Sequence, residues 1–241
     1  MPTLRGPASQ ALARLAAGLT HGGFNMAYTL HGYWRSGGSY RVRIALNLKG
    51  LAYDTMSVDL RAGAQRDASY LRLNPQGRVP LLSDGHAAVA QSLAIIEWLD
   101  ETHPNPPFLP SDPIPRARVR AAAQVIACDI QPLGNIGPLR YLAREFGADE
   151  AAANAWAAHW IEEGFAALEP VAAASPGPYL FGATPTLADI CLVPQCYGAR
   201  RFGADMAPFP ALAAADAALR ALPAFIAAEP ERQPDAPTPT P

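Results

Sequence analysis

The pattern of the chain changes once, at His103-Pro104-Asn105-Pro106-Pro107-Phe108-Leu109-Pro110-Ser111-Asp112-Pro113-Ile114-Pro115. Proline at that density removes backbone donors and clashes with the preceding turn, so no helix or strand ladder runs through it. Before it, short apolar runs alternate with helical spacing. Tyr28–Gly32 and Tyr53–Val58 read as strands, with Ser39–Lys49 as the helix between them. Gln65–Leu73 reads as a short helix, and Val79–Ser83 and Ala87–Ala90 as paired strands turning at Ser83-Asp84-Gly85-His86. Gln91–Glu101 follows as a helix with Leu93, Ile96 and Leu99 on one face. After the break the chain is alanine-rich, with helices expected at 115–130, 137–146, 149–173, 186–199 and 211–227. The expected organisation is an α/β domain over 27–104, a linker over 105–114 and an all-α domain over 115–229.

Composition narrows the function classes. Of 241 residues, 19 are basic and 21 acidic, for a formal charge of −2. That balance argues against a nucleic-acid or anionic-membrane partner. Mean hydropathy is +0.02, and no run approaches the roughly 18 apolar residues of a membrane span. A small-molecule partner is the better expectation. Cys128, Cys191 and Cys196 form no CxxC, and no secretory signal is evident, so neither a disulfide framework nor a zinc site is expected. The five histidines include no HxxxH or HExxH, so no metal site is expected either. A reducing, cytoplasmic setting fits. Residues 1–26 carry Arg5 and Arg14 but no acid, as a targeting peptide would. Arg14 interrupts any secretory apolar core, so the expectation is a leader outside the fold, with Met26 opening the true chain. Pro230–Pro241 is expected to be a mobile tail.

Three constellations carry chemistry. In Trp34-Arg35-Ser36-Gly37-Gly38-Ser39-Tyr40-Arg41, a strand leads through a glycine-bearing loop into a helix. The unpaired N–H groups and partial positive charge of that helix start favour an anion, and a serine there can donate to it. Ordinary capping by Ser36 or Ser39 explains the same residues. In Asn74-Pro75-Gln76-Gly77-Arg78-Val79-Pro80, a proline at a strand start could be cis and leave a backbone edge open to an extended ligand. In Ala90-Gln91-Ser92-Leu93, an amide, a hydroxyl and backbone N–H groups converge at a helix start, where a carboxylate could bind. Thr186-Leu187-Ala188-Asp189 reads as a structural capping box. Arg41 and Arg43 read as ion-paired residues of a helix surface.

The order and spacing of these signals closely resemble the zeta class of glutathione transferases, the family of maleylacetoacetate isomerases. The resemblance runs from about Tyr28 to Asp235 and includes the runs RVRIALNLKG, QSLAIIEWLDE, CDIQPLGN, TPTLADICLVPQ and RQPDAPTP. It implies a thioredoxin-like N-terminal domain binding glutathione, an all-helical C-terminal domain, a homodimer, and a second substrate held between the domains. Ser36 matches the active-site serine that stabilises the glutathione thiolate. Gly37, Gly38, Gln65, Val79, Gln91, Ser92, Gln131 and Asn135 fall on glutathione-side positions. Arg201 matches a substrate-side arginine, and Arg35 is a second carboxylate clamp by its position.

The activity so implied is glutathione-dependent cis–trans isomerisation of maleylacetoacetate, a diketo diacid, to fumarylacetoacetate in tyrosine and phenylalanine breakdown. One departure stands out: the common Ser-Ser-Cys-Ser motif is here Ser36-Gly37-Gly38-Ser39. Zeta-like maleylpyruvate isomerases of gentisate degradation also lack that cysteine and place arginine before the serine, so maleylpyruvate is the alternative substrate. Against it, those enzymes use arginines near the IQPLGN run, where this chain has Ile136-Gly137-Pro138. Transfer to small haloacids is a further alternative. A binding protein with the fold but no glutathione affinity is disfavoured by the intact Ser36, Val79-Pro80 and Gln91-Ser92 set.

Overall fold

The computed structural model describes residues 28–238. The leader reading for 1–26 lies outside them, as do the last three residues of the expected tail. A four-stranded sheet is ordered β2-β1-β3-β4, with β1 (Tyr28–Gly32), β2 (Tyr53–Ser57), β3 (Leu81–Ser83) and β4 (Ala88–Ala90). β1 and β2 run parallel, as a crossover through α1 (Gly37–Leu48) requires. β3 runs antiparallel to both β1 and β4, with His31 opposite Leu81 and Leu82 opposite Val89. Leu30 and Leu82 at the sheet centre are fully buried. The sequence pattern starts the third strand at Val79. The ladder starts at Leu81 because Pro80 has no N–H to give it, and the Val79–Pro80 bond is cis.

The remaining helices are α2 (Ala68–Leu73), α3 (Ser92–Thr102), α4 (Pro113–Gln124), α5 (Ile136–Phe146), α6 (Glu150–Ala173), α7 (Leu187–Phe202), α8 (Pro210–Arg220) and α9 (Pro223–Ala228). The expected α/β unit is therefore followed by helices alone. Among the described residues no helix is long and apolar enough to cross a membrane. α1 packs against α3 on one side and against α7 and α9 of the helical part on the other. Its middle, from Val42 to Leu46, is buried almost completely.

Several sequence expectations need correction. Gln65–Leu73 is two pieces, a 3₁₀ turn at Ala64–Arg66 and then α2, because Asp67 between them is extended. The stretch 115–130 is α4 followed by a π-helical turn, Val125–Ile130. Gly164 on α6 lets this wide turn approach, since a Cβ there would overlap the Ile130 side chain. The stretch 211–227 breaks between α8 and α9, where Pro223 sits in a first turn that needs no N–H from it.

Arg41 and Arg43 are not surface residues: they are 1% and 2% exposed, because α1 is covered on both sides. Neither pairs with a carboxylate among the described residues. Arg43 donates through Nε to Ala228 O at 3.0 Å and through Nη2 to Trp34 O at 2.9 Å. The segment after Pro230 also docks. Pro230 is buried, and the Asp235 carboxylate accepts from Trp34 N at 3.0 Å and Ser57 Oγ at 2.9 Å. Proline does not stop a segment from packing when a charged side chain ties it down.

Asp189 fills the structural role its spacing suggested. Fully buried, it accepts from Leu180 N, Thr186 N and Thr186 Oγ1 at 2.9, 2.8 and 2.7 Å, and it closes the capping box of α7. Asp189→Ala orphans those donors at once, for an expected loss of about 2–3 kcal/mol. Thr186→Ala removes a single donor and should cost about 1 kcal/mol. Denaturant titration of the two variants checks both the size and the order of the losses.

Candidate active site

Two adjoining cavities meet at Ser36. Their sizes, about 370 and 510 Å³, are those of small-molecule sites. Ser36 is the N-cap of α1, and its Oγ accepts from Ser39 N at 3.3 Å, which leaves the hydroxyl proton uncommitted. No acidic residue occupies the first turn of α1, so the positive end of that helix is not offset locally. The loop before it is fixed from several directions. Ser36 N donates to Tyr33 O at 3.0 Å, Tyr33 N donates to Ser39 Oγ at 3.3 Å, and Arg43 and Asp235 hold the backbone of Trp34.

The smaller cavity gathers Ser36, Gly38, Gln65, Val79, Gln91, Ser92, Gln131 and Asn135. Gly37, grouped with them by sequence, lines the larger cavity instead. Gln65 is buried with its Oε1 unpartnered, an acceptor waiting on the wall for a donor. Gln91 holds φ at +72°, a left-handed conformation that costs a non-glycine residue about 1–2 kcal/mol. Its Nε2 donates to Gln76 Oε1 at 2.8 Å. Across the cleft, the π-helical turn leads to Gln131, whose Nε2 donates to Asn135 Oδ1 at 2.6 Å. Together these residues offer amide, hydroxyl and backbone groups over an extended length. That fits a tripeptide carrying carboxylates better than a compact sugar or a metal.

The larger cavity holds Arg35 and Arg201, with Ser36, Gln131 and Asn135 shared between the two. Among the described residues neither arginine has a carboxylate partner. Arg35 stacks on Trp34 and Arg201 on Phe202, with guanidinium carbons 5.2 and 4.0 Å from the ring centres. Arg201 lines the cavity while remaining exposed to water. Even so, the packing around its guanidinium, and then the like charge of Arg35, hold its pKa below the ordinary value. Two arginines on one cavity wall, with no counter-ion among the described residues, are chemically suited to a dianion.

Sequence reasoning missed several wall residues. Arg66 and Arg78 line the smaller cavity, Arg61 the larger, and Arg140 both. No Asp or Glu lines the smaller cavity, and Glu150 is the acid on the larger. Arg140 lies one helical turn beyond Ile136, and the 3.6-residue period carries it onto the same wall. Tyr197 also lines the larger cavity and donates to Glu231 Oε1 at 2.7 Å.

Comparison with known proteins finds relatives over most of the chain. Family models for the N-terminal and C-terminal domains of glutathione S-transferase match residues 36–102 and 151–220. The chain is 50% identical over 208 residues to the maleylpyruvate isomerase of a Ralstonia species, covering 86% of this chain and 98% of that protein. It is 47% identical over 213 residues to the probable maleylacetoacetate isomerase of Vibrio cholerae, covering 88% and 99%. The solved structure of the maleylacetoacetate isomerase from Anaeromyxobacter dehalogenans 2CP-1 holds dicarboxyethyl glutathione and citrate in its active site. It superposes with a TM-score of 0.78 at 44% identity, covering 88% of this chain and 95% of that one.

Gly38 offers a direct test of the smaller cavity. A Cβ there would lie 2.9 Å from Pro80 Cδ. Gly38→Ala therefore pushes on the edge at Val79-Pro80, an overpacking cost of about 1–3 kcal/mol that the helix preference of alanine offsets by about 1. The remaining loss of about 0–2 kcal/mol should lower the thermal midpoint by a few degrees at most, while KM for glutathione rises about fivefold. An unchanged KM would show that the edge does not touch the ligand.

Proposed function

The chain belongs to the glutathione S-transferase family, and on that premise we propose that it is a glutathione-dependent cis–trans isomerase converting maleylacetoacetate to fumarylacetoacetate. The observation that carries the reading is the junction at Ser36: a peptide-sized cavity with unpartnered polar groups opens onto a second one with two unpaired arginines. The orphaned Oε1 of buried Gln65 and the acid-free wall support a fit to glutathione, whose ammonium and carboxylates need both kinds of partner.

When bound, glutathione supplies a thiolate that adds to the conjugated cis double bond and leaves again after rotation, so that it is not consumed. The work of the chain is to bind, orient and stabilise. Gln65, Gln91, Ser92, Gln131, Asn135 and the Val79 backbone hold the peptide. Ser36 Oγ donates its proton to the sulfur, and the start of α1, with Gly37 and Gly38 giving close backbone access, favours the negative charge. Arg35 and Arg201 pair with the substrate carboxylates and set the double bond against the sulfur.

The maleylpyruvate reading keeps specific support, since Arg35 precedes the Ser36-Gly37-Gly38 loop and Arg140 lines both cavities. Both substrates are maleyl diacids and use the same steps. We extend the proposal to a cytoplasmic homodimer, checked by a sedimentation mass of two chains.

Purified protein should turn over maleylacetoacetate when glutathione is present, with none consumed, and stay silent without it. Turnover of maleylpyruvate alone would shift the substrate and keep the mechanism. Ser36→Ala should lower kcat by about 10²-fold or more and raise the thiol pKa of bound glutathione, read from thiolate absorbance. Arg201→Ala should raise KM for the diacid about tenfold and leave reaction with an uncharged electrophile unchanged. Equal losses on both substrates would make Arg201 structural.

A further inference from the structure

Arg41 is a buried cation without an evident counter-charge. It sits in the second turn of α1, and its side chain has a single hydrogen bond, from Nη1 to Ser92 Oγ at 3.3 Å. Nε and Nη2 are buried with no partner. Among the described residues no carboxylate pairs with it, and the groups that bear on its charge are the thiols of Cys191 and Cys128. Burial pulls its pKa below the ordinary arginine value, yet a guanidinium does not give up its proton near neutrality. Arg43, two residues on, shows a settled buried arginine, with nitrogens on two carbonyl oxygens. Arg41 has no such arrangement, and an unpaired buried cation is costly to keep.

Its position says what completes it. Arg41, Ser92 and Gln91 share the wall of the smaller cavity at the start of α3. Because Arg41 donates to Ser92 Oγ, that oxygen is engaged as an acceptor and its own proton is free for a group inside the cavity. A carboxylate there takes the serine proton and meets the buried charge at one stroke. The exposed Arg66 and Arg78 on the same wall are screened by solvent, and Arg41 is not.

We propose that Arg41 is a positioning residue for glutathione, holding Ser92 as a donor to the α-carboxylate of the γ-glutamyl group and supplying the charge that this carboxylate neutralises. This rests on the glutathione reading above and adds to it a residue and a reason for selectivity. Such a residue makes the empty protein less stable than a neutral replacement would, and that separates it from a merely structural cation.

Calorimetric titration with glutathione, and with an analogue whose γ-glutamyl α-carboxylate is a primary amide, tests the assignment alongside thermal midpoints. The parent should bind glutathione at least about tenfold tighter than the amide. Arg41→Gln should weaken glutathione about 10- to 100-fold, leave the amide within about threefold, and melt no lower than the parent when empty. Arg41→Lys keeps the charge and should keep most of the preference. Equal weakening of both ligands by Arg41→Gln, or a lower midpoint or failure to fold, would overturn the proposal and make Arg41 a structural cation. So would a parent that binds the two ligands equally. A parent that binds neither would instead sink the glutathione reading itself.

Discussion

Arg43 reaches sideways from the middle of α1 and ties the Ser36 loop to the last helix, with Nε on the Ala228 carbonyl, Nη2 on the Trp34 carbonyl and its guanidinium beside the Tyr40 ring of its own helix. Burial pulls its pKa down to about 10, so it remains a cation throughout the working range. Hydrogen bonds from a charged donor are worth about 1.5–3 kcal/mol each, against a burial cost of several kcal/mol for the ion. The net stabilisation is therefore small. What the arrangement yields is position: the loop carrying Ser36 is locked to the last helix of the helical domain. Asp235 fixes the same loop from the other side, through Trp34 N. The cavity junction at Ser36 follows from these two ties.

Charge is distributed unevenly around that junction. The chain as a whole is slightly acidic, yet arginines at 41, 66, 78 and 140 line the smaller cavity and those at 35, 61, 140 and 201 the larger. A positive cleft in an acidic molecule concentrates small anions without attracting nucleic acid, which needs a continuous basic face. The like-charge pair Arg35 and Arg201 shows the bias most clearly. The charge of Arg35 adds to the burial that lowers the Arg201 pKa, and under the proposed function affinity would depend on how many carboxylates the ligand brings.

Much of this was legible in the sequence, because it is written in local chemistry. Turn residues, caps and apolar period place every strand and most helices, and Ser36, Gln91 and Ser92 stand out at helix starts; Gln65, Gln131 and Asn135 are legible only through the family resemblance, and Gln76, Asn154 and Gln195 on the same walls escape both. What escaped depends on tertiary context. Amphipathic spacing identifies one buried face of α1 but cannot tell that its other face is covered by α7 and α9, so Arg41 and Arg43 read as surface charges. The π-helical turn at Val125–Ile130 has no sequence signal of its own and depends on the space that Gly164 leaves. Asp235 lies in a run whose composition says disorder, and its two long-range bonds to Trp34 and Ser57 cannot be read locally.

The glycine in the active-site loop follows from packing as well. Pro80 Cδ stands 2.9 Å from where a Cβ on Gly38 would be, so this loop has no room for the cysteine that resembling sequences place there without a shift of the prolyl ring. No other protein thiol takes over. Cys191 is fully buried, and desolvation raises its pKa to about 11; Cys196 is buried as well, and desolvation pushes its thiol well above the ordinary value. Cys128 lines the smaller cavity but not the larger one, where Arg35 and Arg201 would hold the diacid. A nucleophilic sulfur reaching that diacid must therefore come with the ligand in the smaller cavity, past Ser36, which both cavities share. With glycine at 38 the loop carries no thiol, so under the proposed function the thiolate chemistry falls to bound glutathione, with Ser36 and the start of α1 placed to activate it.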